Sequence, residues 1–378
     1  MTKYRTIDCI VLLSALVTCT GFRDAAATTP PAYTVTDLGT LGGTSSIGRG
    51  INASGHVTGE SYMTGDAAFH AFLYDGAMHD LGTLGGTNSY GYGINDSGQV
   101  TGQSDTTGGA HAFLYDSTMH DLGTLGGSYS YGIGINASGQ VSGYSQTTGG
   151  AAHAFLYDGT MNDLGTLGGT DSFGWGINDS GQMTGFSKLI GDAEWHAFLY
   201  DGTLHDLGTL GGTQSEGHGI NASGHVAGTS YATEGSYHAF LYDGTMNDLG
   251  VSNSYGFGIN GSGQVVGYFG NVAFLYTSGS GLVDLNSLID PSSGWELSTA
   301  LAINDAGQIT GWGLIGGQQH AYLLTPVPEP TSLALLALGL PLLAWRNSRR
   351  FGTGGVRDFR RYAIAAATRA VAFARSDQ

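Results

Sequence analysis

Hydrophobic and polar positions along this chain alternate in short bursts, and the bursts recur. One copy reads HAFLYDGTMNDLGTLGGTDSFGWGINDSGQMTGFS, from His153 to Ser187. Its H-A-F-L-Y stretch is a run of aromatic and aliphatic residues with strand preference. An Asp-Gly turn follows at Asp75, Asp158, Asp201 and Asp243, so M-H-D-L is read as the hairpin partner. The N-A-S-G and N-D-S-G segments are turns, because Asn and Asp bond their own backbone and Gly accepts the left-handed conformation. They join a Gly-rich strand, G-Y-G-I-N, to a further strand, Q-V-T-G. No segment of the unit has helical periodicity. Each unit of about 42 residues therefore offers four short strands.

Four submotifs give the same count. G-I-N ends at Asn52, Asn95, Asn136, Asn178, Asn221, Asn260 and, as A-I-N, Asn304. S-G-Q-V-x-G places its first glycine at Gly55, Gly98, Gly139, Gly181, Gly224, Gly263 and Gly307. H-A-F starts at His70, His111, His153, His196 and His238, then becomes Val272-Ala273-Phe274 and His320-Ala321-Tyr322. D-L-G sits at Asp37, Asp80, Asp121, Asp163, Asp206, Asp248 and, as D-L-N, Asp284.

Four antiparallel strands per repeat is the size of a propeller blade. The ends of the array favour a ring. An orphan strand, Tyr33–Gly39, precedes the first G-I-N, and the last unit stops at Pro326 without a D-L-G strand. The orphan can complete the last blade and remove an exposed sheet edge. The expected fold is all-β: a closed seven-bladed β-propeller over residues 33–326, its N-terminal strand completing the last blade. A right-handed β-solenoid is the rival, but it gives no reason for a displaced strand. Glycine, at 66 of 378 residues, fits crowded strands and tight turns.

Charge narrows the partners. Between Thr28 and Pro330 the basic residues are Arg49 and Lys188, against 20 Asp and 6 Glu. Such a surface repels phosphate backbones, which excludes nucleic acid as a partner class. Both cysteines, Cys9 and Cys19, lie in the first 27 residues. That segment reads as a signal peptide: Lys3 and Arg5, an apolar stretch from Ile10 to Val17, and Ala25-Ala26-Ala27 before the cleavage point. A lipoprotein site at Cys19 is the alternative. The remainder would carry no disulfide, so its stability must come from packing.

At the other end, Val327-Pro328-Glu329-Pro330-Thr331 leads into a 15-residue apolar run, Thr331–Trp345, and then Arg346, Arg349 and Arg350. The run predicts a short transmembrane helix, with the arginines on the cytoplasmic side and the ring outside. Pro328, Glu329 and Pro330, one apolar helix and an arginine cluster together resemble the PEP-CTERM sorting signal of Gram-negative bacteria, over residues 327–350. The resemblance implies secretion across the inner membrane, transient anchoring there, and processing by an exosortase, in organisms that make extracellular polysaccharide. Residues 351–378 form a basic, Ala-rich tail with no assigned role. The repeats resemble the bacterial extracellular HAF-repeat family, whose biochemical role is unsettled.

Repetition weakens the chemical reading of any single residue. Adjacent His79-Asp80, His120-Asp121 and His205-Asp206 point to opposite faces of a strand and cannot chelate one ion together. In two copies Asn162 and Asn247 replace the His. The H-A-F histidines are expected to bond a neighbouring backbone. Turn chemistry accounts for the N-x-S sequons at Asn52 to Asn260 without glycosylation. No Walker loop, nucleophile elbow or zinc motif is present in the sequence, and no cofactor is expected.

Function is expected where the copies differ, in the loops between strands two and three. They hold Glu60, Asp66, Asp105, Asp192, Glu194 and Glu234 beside Tyr62, Tyr144, Trp195 and Tyr231. Carboxylates beside aromatics suit sugar stacking with hydrogen bonding, or weak Ca²⁺ capture through oxygen ligands. The sequence thus predicts a non-enzymatic cell-surface protein binding polysaccharide or matrix proteins. The alternatives are a glycan hydrolase or lyase using Asp192 and Glu194, and a purely structural surface protein.

Overall fold

The computed structural model describes residues 32–327, and these are all-β apart from two short 3-10 turns, Leu285–Leu288 and Pro291–Ser293. Each repeat forms one antiparallel four-stranded sheet. In the first, Gly42–Ile51, Val57–Met63, Phe69–Tyr74 and Met78–Asp80 lie side by side in chain order. Six further sheets follow the same plan. The fourth and fifth touch through a single parallel bridge, Trp195↔Gln214. No sheet closes on itself. The predicted signal peptide (1–27), the sorting motif with its apolar helix and arginines, and the tail (351–378) lie outside the described residues. Among the described residues no helix is long and apolar enough to cross a membrane.

The local reading of strands and turns accounts for this architecture. Tyr74 pairs with Met78, leaving Asp75-Gly76-Ala77 as a three-residue turn with Gly76 at φ 117°. In the second sheet Ser117 takes that place at φ 112°, against the preference of an L-residue. Each N-x-S-G turn is held by its own asparagine. Asn178 Oδ1 accepts from Ser180 N at 3.1 Å and from Gln182 N at 3.0 Å.

The H-A-F phenylalanines are the core. Phe72, Phe113, Phe155, Phe198, Phe240 and Phe274 are fully buried, with Tyr322 in the seventh place. Each lies opposite a glycine of the second strand. A Cβ on Gly143 would strike both the Tyr131 carbonyl and the Phe155 ring, which explains why that glycine recurs. Among the described residues the buried side chains fall into separate clusters between sheets, with no single centre.

The displaced strand pairs as the end pattern predicts. Tyr33–Asp37 runs antiparallel to Gln318–Pro326, from Tyr33↔Pro326 to Asp37↔Tyr322. It is the fourth strand of the seventh sheet, after Trp295–Ile303, Ile309–Ile315 and Gln318–Pro326.

Neighbouring sheets are tied by two repeated side-chain devices. In six of the seven sheets a serine of the first strand takes a backbone N–H from the preceding sheet, as Ala71 N donates to Ser89 Oγ at 2.9 Å and Ala321 N to Ser46 Oγ at 2.9 Å. The second device is the G-I-N asparagine. Asn52 donates to the Asn95 carbonyl, Asn95 to Asn136, Asn136 to Asn178, and so on to Asn260 and Asn304, at 3.0 to 3.2 Å. Asn304 then donates to the Asn52 carbonyl at 2.9 Å. The seven bonds form a cycle.

Candidate functional site

The seven first strands face a common opening, and its two ends differ. At the asparagine end the opening is about 290 Å³. It is lined by seven Ile and seven Asn, together with Asp96, Asp179 and Asp305. Those three carboxylates are occupied: they accept from Ala53 N, Ala137 N and Gly261 N. Among the described residues no group of three or more His, Cys, Asp or Glu is arranged to hold a metal ion.

The opposite end carries the aromatic side chains. Within each G-x-G of the first strands the middle residue varies: Arg49, Tyr92, Ile133, Trp175, His218, Phe257 and, between alanines, Leu301. Arg49 lies over the Tyr92 ring at 5.2 Å. Trp175 stacks on His218 at 4.2 Å, and His218 meets Phe257 edge-on at 4.9 Å. Two residues earlier on each first strand, three sheets carry a stacked cross-strand pair: Tyr131–Tyr144, Phe173–Phe186 and Tyr255–Tyr268, at 4.7 to 4.8 Å. Successive ring contacts then run unbroken from Tyr129 to Tyr231 across four sheets.

Two polar pairs interrupt the aromatic wall. In the first sheet Arg49 holds Glu60 bidentately, Nε–Oε2 2.5 Å and Nη2–Oε1 2.6 Å. Burial pushes the Glu60 carboxyl up, and the guanidinium opposes that shift. In the fifth sheet Glu216 lies opposite Thr229 in the register. Trp195 Nε1 donates to Glu216 Oε1 at 3.1 Å, and His218 Nε2 is 3.9 Å from Glu216 Oε2. Burial raises the Glu216 carboxyl and drives the His218 imidazole down to about 3, so His218 is neutral at pH 7. His218 Nε2 and Thr229 Oγ1 are buried without a hydrogen-bond partner, as is Gln103 Oε1 in the second sheet.

The residues singled out in the sequence take several places. Glu60 is not on a loop: it lies within the strand Val57–Met63, 3% exposed, in the pair with Arg49, because the reading ended that strand too early. Tyr144 is likewise a strand residue, inside the aromatic wall. Trp195 reaches Glu216, Tyr231 packs on Tyr237 at 5.0 Å, and Tyr62 stacks on Phe69 at 3.7 Å. Asp105 is likewise a strand residue, the last of Val100–Asp105, and three of the acidic side chains brace the start of the first strand in their own sheet. Asp66 accepts from Thr44 N and Oγ1, Asp105 from Asn88 N and Nδ2, and Asp192 from Thr170 N. Glu194 gives its backbone carbonyl to Leu189 N, and Glu234 lies 2.7 Å from His238 Nε2.

The H-A-F histidines bond carboxylates instead of the backbone expected of them. His70 Nδ1 lies 2.8 Å from Asp80 Oδ1, and the same contact recurs at His111–Asp121, His153–Asp163, His196–Asp206 and His238–Asp248. The D-L-G aspartate also accepts the N–H two residues on, as Asp80 does from Gly82, so it closes a turn. His79 Nε2 instead meets Asp75 at 2.9 Å, and Asn162 donates to Asp158 at 3.0 Å in the equivalent place. An amide can replace the imidazole there because only one donor is needed. Glu216, His218, Trp175 and Phe257 were missed because they sit inside the regular strand. The signal was the residue that changes within an otherwise fixed G-x-G frame.

The arrangement defines an all-β repeat protein of many four-stranded sheets. The PEP-CTERM protein-sorting motif matches residues 326–350, beginning in the last strand. A motif of this kind is recognised by an exosortase, and it marks a secreted, membrane-sorted protein exported through the cell envelope to the surface. No curated protein sequence matches the chain. Among solved structures it is similar to TolB from Acinetobacter baumannii, at 13% identity over 78% of this chain and 55% of that one, TM-score 0.37. It is also similar to an acylaminoacyl peptidase from Pyrococcus horikoshii, at 15% identity over 70% and 49%, TM-score 0.43. A third is the lectin AAL from Aleuria aurantia, at 12% identity over 79% and 99%, TM-score 0.34. The chain spans about half the length of the first two.

Proposed function

We propose that this is a non-enzymatic protein of the Gram-negative cell surface, built as a closed seven-bladed β-propeller, that binds polysaccharide of the extracellular matrix. The cycle of asparagine bonds returning from Asn304 to Asn52 supports reading the seven sheets as blades of one ring. The repeats are taken as HAF repeats, the first 27 residues as the export signal, and residues 331–345 as the transient membrane anchor. Exosortase removes that anchor, with Arg346, Arg349 and Arg350 marking its cytoplasmic end.

The observation that carries the binding reading is the aromatic arc from Tyr129 to Tyr231. Ring faces of this kind stack on the C–H faces of sugars, while hydroxyls reach nearby carboxylates and amides. The acidic surface disfavours polyanions, so neutral chains are the preferred ligands. Binding of residues 28–326 to a glycan array tests this, and an array without signal overturns it. Mass spectrometry of the mature C-terminus tests the sorting: a chain still ending at Gln378 overturns exosortase processing.

One observation favours a second reading, a hydrolase or lyase acting on the same glycan. Glu216 has a raised carboxyl and an imidazole 3.9 Å away, which is the equipment of a general acid. Release of reducing ends from a bound polysaccharide would establish it.

A further inference from the structure

We propose that the fifth sheet carries a subsite for one uncharged sugar ring, in the notch where Glu216 and Thr229 replace the stacked aromatic pair of neighbouring sheets. This inference rests on the polysaccharide reading and gives it an address. At the same register the third, fourth and sixth sheets place Tyr131 with Tyr144, Phe173 with Phe186, and Tyr255 with Tyr268. Between the fourth and sixth sheets the fifth has Glu216 opposite Thr229 instead, while the first and second sheets carry Ile47 opposite Glu60 and Tyr90 opposite Gln103. Glu216 and Thr229 are both smaller than the aromatic side chains that hold these positions in the neighbouring sheets.

The notch is polar where a ligand would need it to be. Thr229 is 3% exposed and its hydroxyl has no partner; His218 Nε2 has none either. Leaving a buried polar atom unpaired costs about 1–3 kcal/mol, so two such atoms beside one carboxylate point to a missing partner. Glu216 Oε2 and His218 Nε2 are 3.9 Å apart, a separation that one hydroxyl oxygen can bridge with two ordinary hydrogen bonds. Neutral His218 has a single ring proton and accepts on its other nitrogen, so it adds no charge that would call for an anion. Trp195 fixes the Glu216 carboxylate from one side, and the imidazole stacks on Trp175 and meets Phe257 edge-on. A flat, hydroxyl-rich, uncharged ring matches this set: faces for the aromatics, hydroxyls for Glu216, His218 and Thr229.

The test uses the ring domain with cellohexaose, maltohexaose and chitohexaose as probes, followed by tryptophan fluorescence, alongside the glycan array. Glu216→Gln and Thr229→Val are each expected to weaken binding about tenfold, since the first turns a charge-assisted hydrogen bond into a neutral one and the second removes a hydroxyl from a desolvated site. The double change Glu216→Tyr with Thr229→Tyr rebuilds the aromatic pair of the third sheet. It is expected to raise the melting temperature and abolish binding, so loss of binding cannot be blamed on unfolding. Array binding that survives the double change overturns the notch and leaves the polysaccharide reading standing. An array with no signal for the unmodified ring, the notch then holding water only, overturns both.

Discussion

His320 and Asp37 stand 283 residues apart in the chain, yet His320 Nδ1 lies 2.9 Å from Asp37 Oδ1. The contact is the same one that His70 makes with Asp80, ten residues away, inside the first sheet. The last sheet thus repeats the contact of the first five although its fourth strand comes from the opposite end of the chain. Removing residues 28–38 should therefore do more than delete a strand. It exposes the edge of Gln318–Pro326 and withdraws Tyr33 and Leu38, both buried. The expected loss is at least ~3 kcal/mol, with aggregation, because each buried side chain contributes roughly 1.5–3 kcal/mol and a free edge pairs with other copies. Asp37→Ala, touching a half-exposed carboxylate, should cost only about 1 kcal/mol. Urea denaturation of both variants separates the two effects; equal losses would contradict the argument.

Asn178 links one turn to the next sheet. Its amide donates to the Asn221 carbonyl and its oxygen accepts from Ser180 N and Gln182 N. Asn178→Ala strands these buried groups and should cost about 2–4 kcal/mol. Asn178→Asp keeps the acceptor but places a carboxylate against the Asn221 carbonyl, so the stability that variant loses relative to the unmodified protein should be smaller at pH 4 than at pH 7. Thermal melts at the two pH values give the sign directly.

Ser117 holds φ 112° in a turn where other copies use Gly76, Gly159, Gly202 and Gly244 at φ 109° to 117°. Ser117→Gly should stabilise the protein by about 1 kcal/mol by removing the strain of a side chain in that region. Gly159→Ser should cost a similar amount. The shift in the urea midpoint measures both, and a destabilised Ser117→Gly variant would refute the strain argument.

His218 gives the protein a pH dependence of known sign. Its folded value, about 3, lies below the ordinary 6.5 because burial disfavours the imidazolium. Between those values the unfolded chain holds a proton that the folded chain does not, so stability falls as pH drops from 6.5 towards 3. The upper limit of the slope is about 1.4 kcal/mol per pH unit. Glu216, whose carboxyl burial raises, acts in the opposite sense: its contribution is lost as pH rises above the ordinary carboxylate value. His218→Phe, compared with the unmodified ring at pH 4 and pH 7, isolates the histidine. A slope unchanged by that substitution would show that His218 is not the group responsible.

What the sequence determined by itself is local or counted. Period-2 runs such as H-A-F-L-Y became strands because alternating burial is a property of neighbours along the chain. N-D-S-G became a turn because Asn178 bonds the backbone two and four residues on. The displaced Tyr33–Asp37 strand was legible because seven counts of each motif left one strand over. The partners of repeated polar residues were not legible. His70 was expected to bond backbone, and its carboxylate lies ten residues away on another strand. The candidate site was hidden for the same reason. Arg49 meets Tyr92, and Trp175 meets His218, across gaps of about one repeat, which no pattern within a repeat can encode. The sequence shows that Glu216 and Thr229 differ from their counterparts. Only the tertiary structure decides that this difference brings Glu216 against Trp195 and His218 and leaves the Thr229 hydroxyl without a partner, because those contacts come from neighbouring strands and sheets.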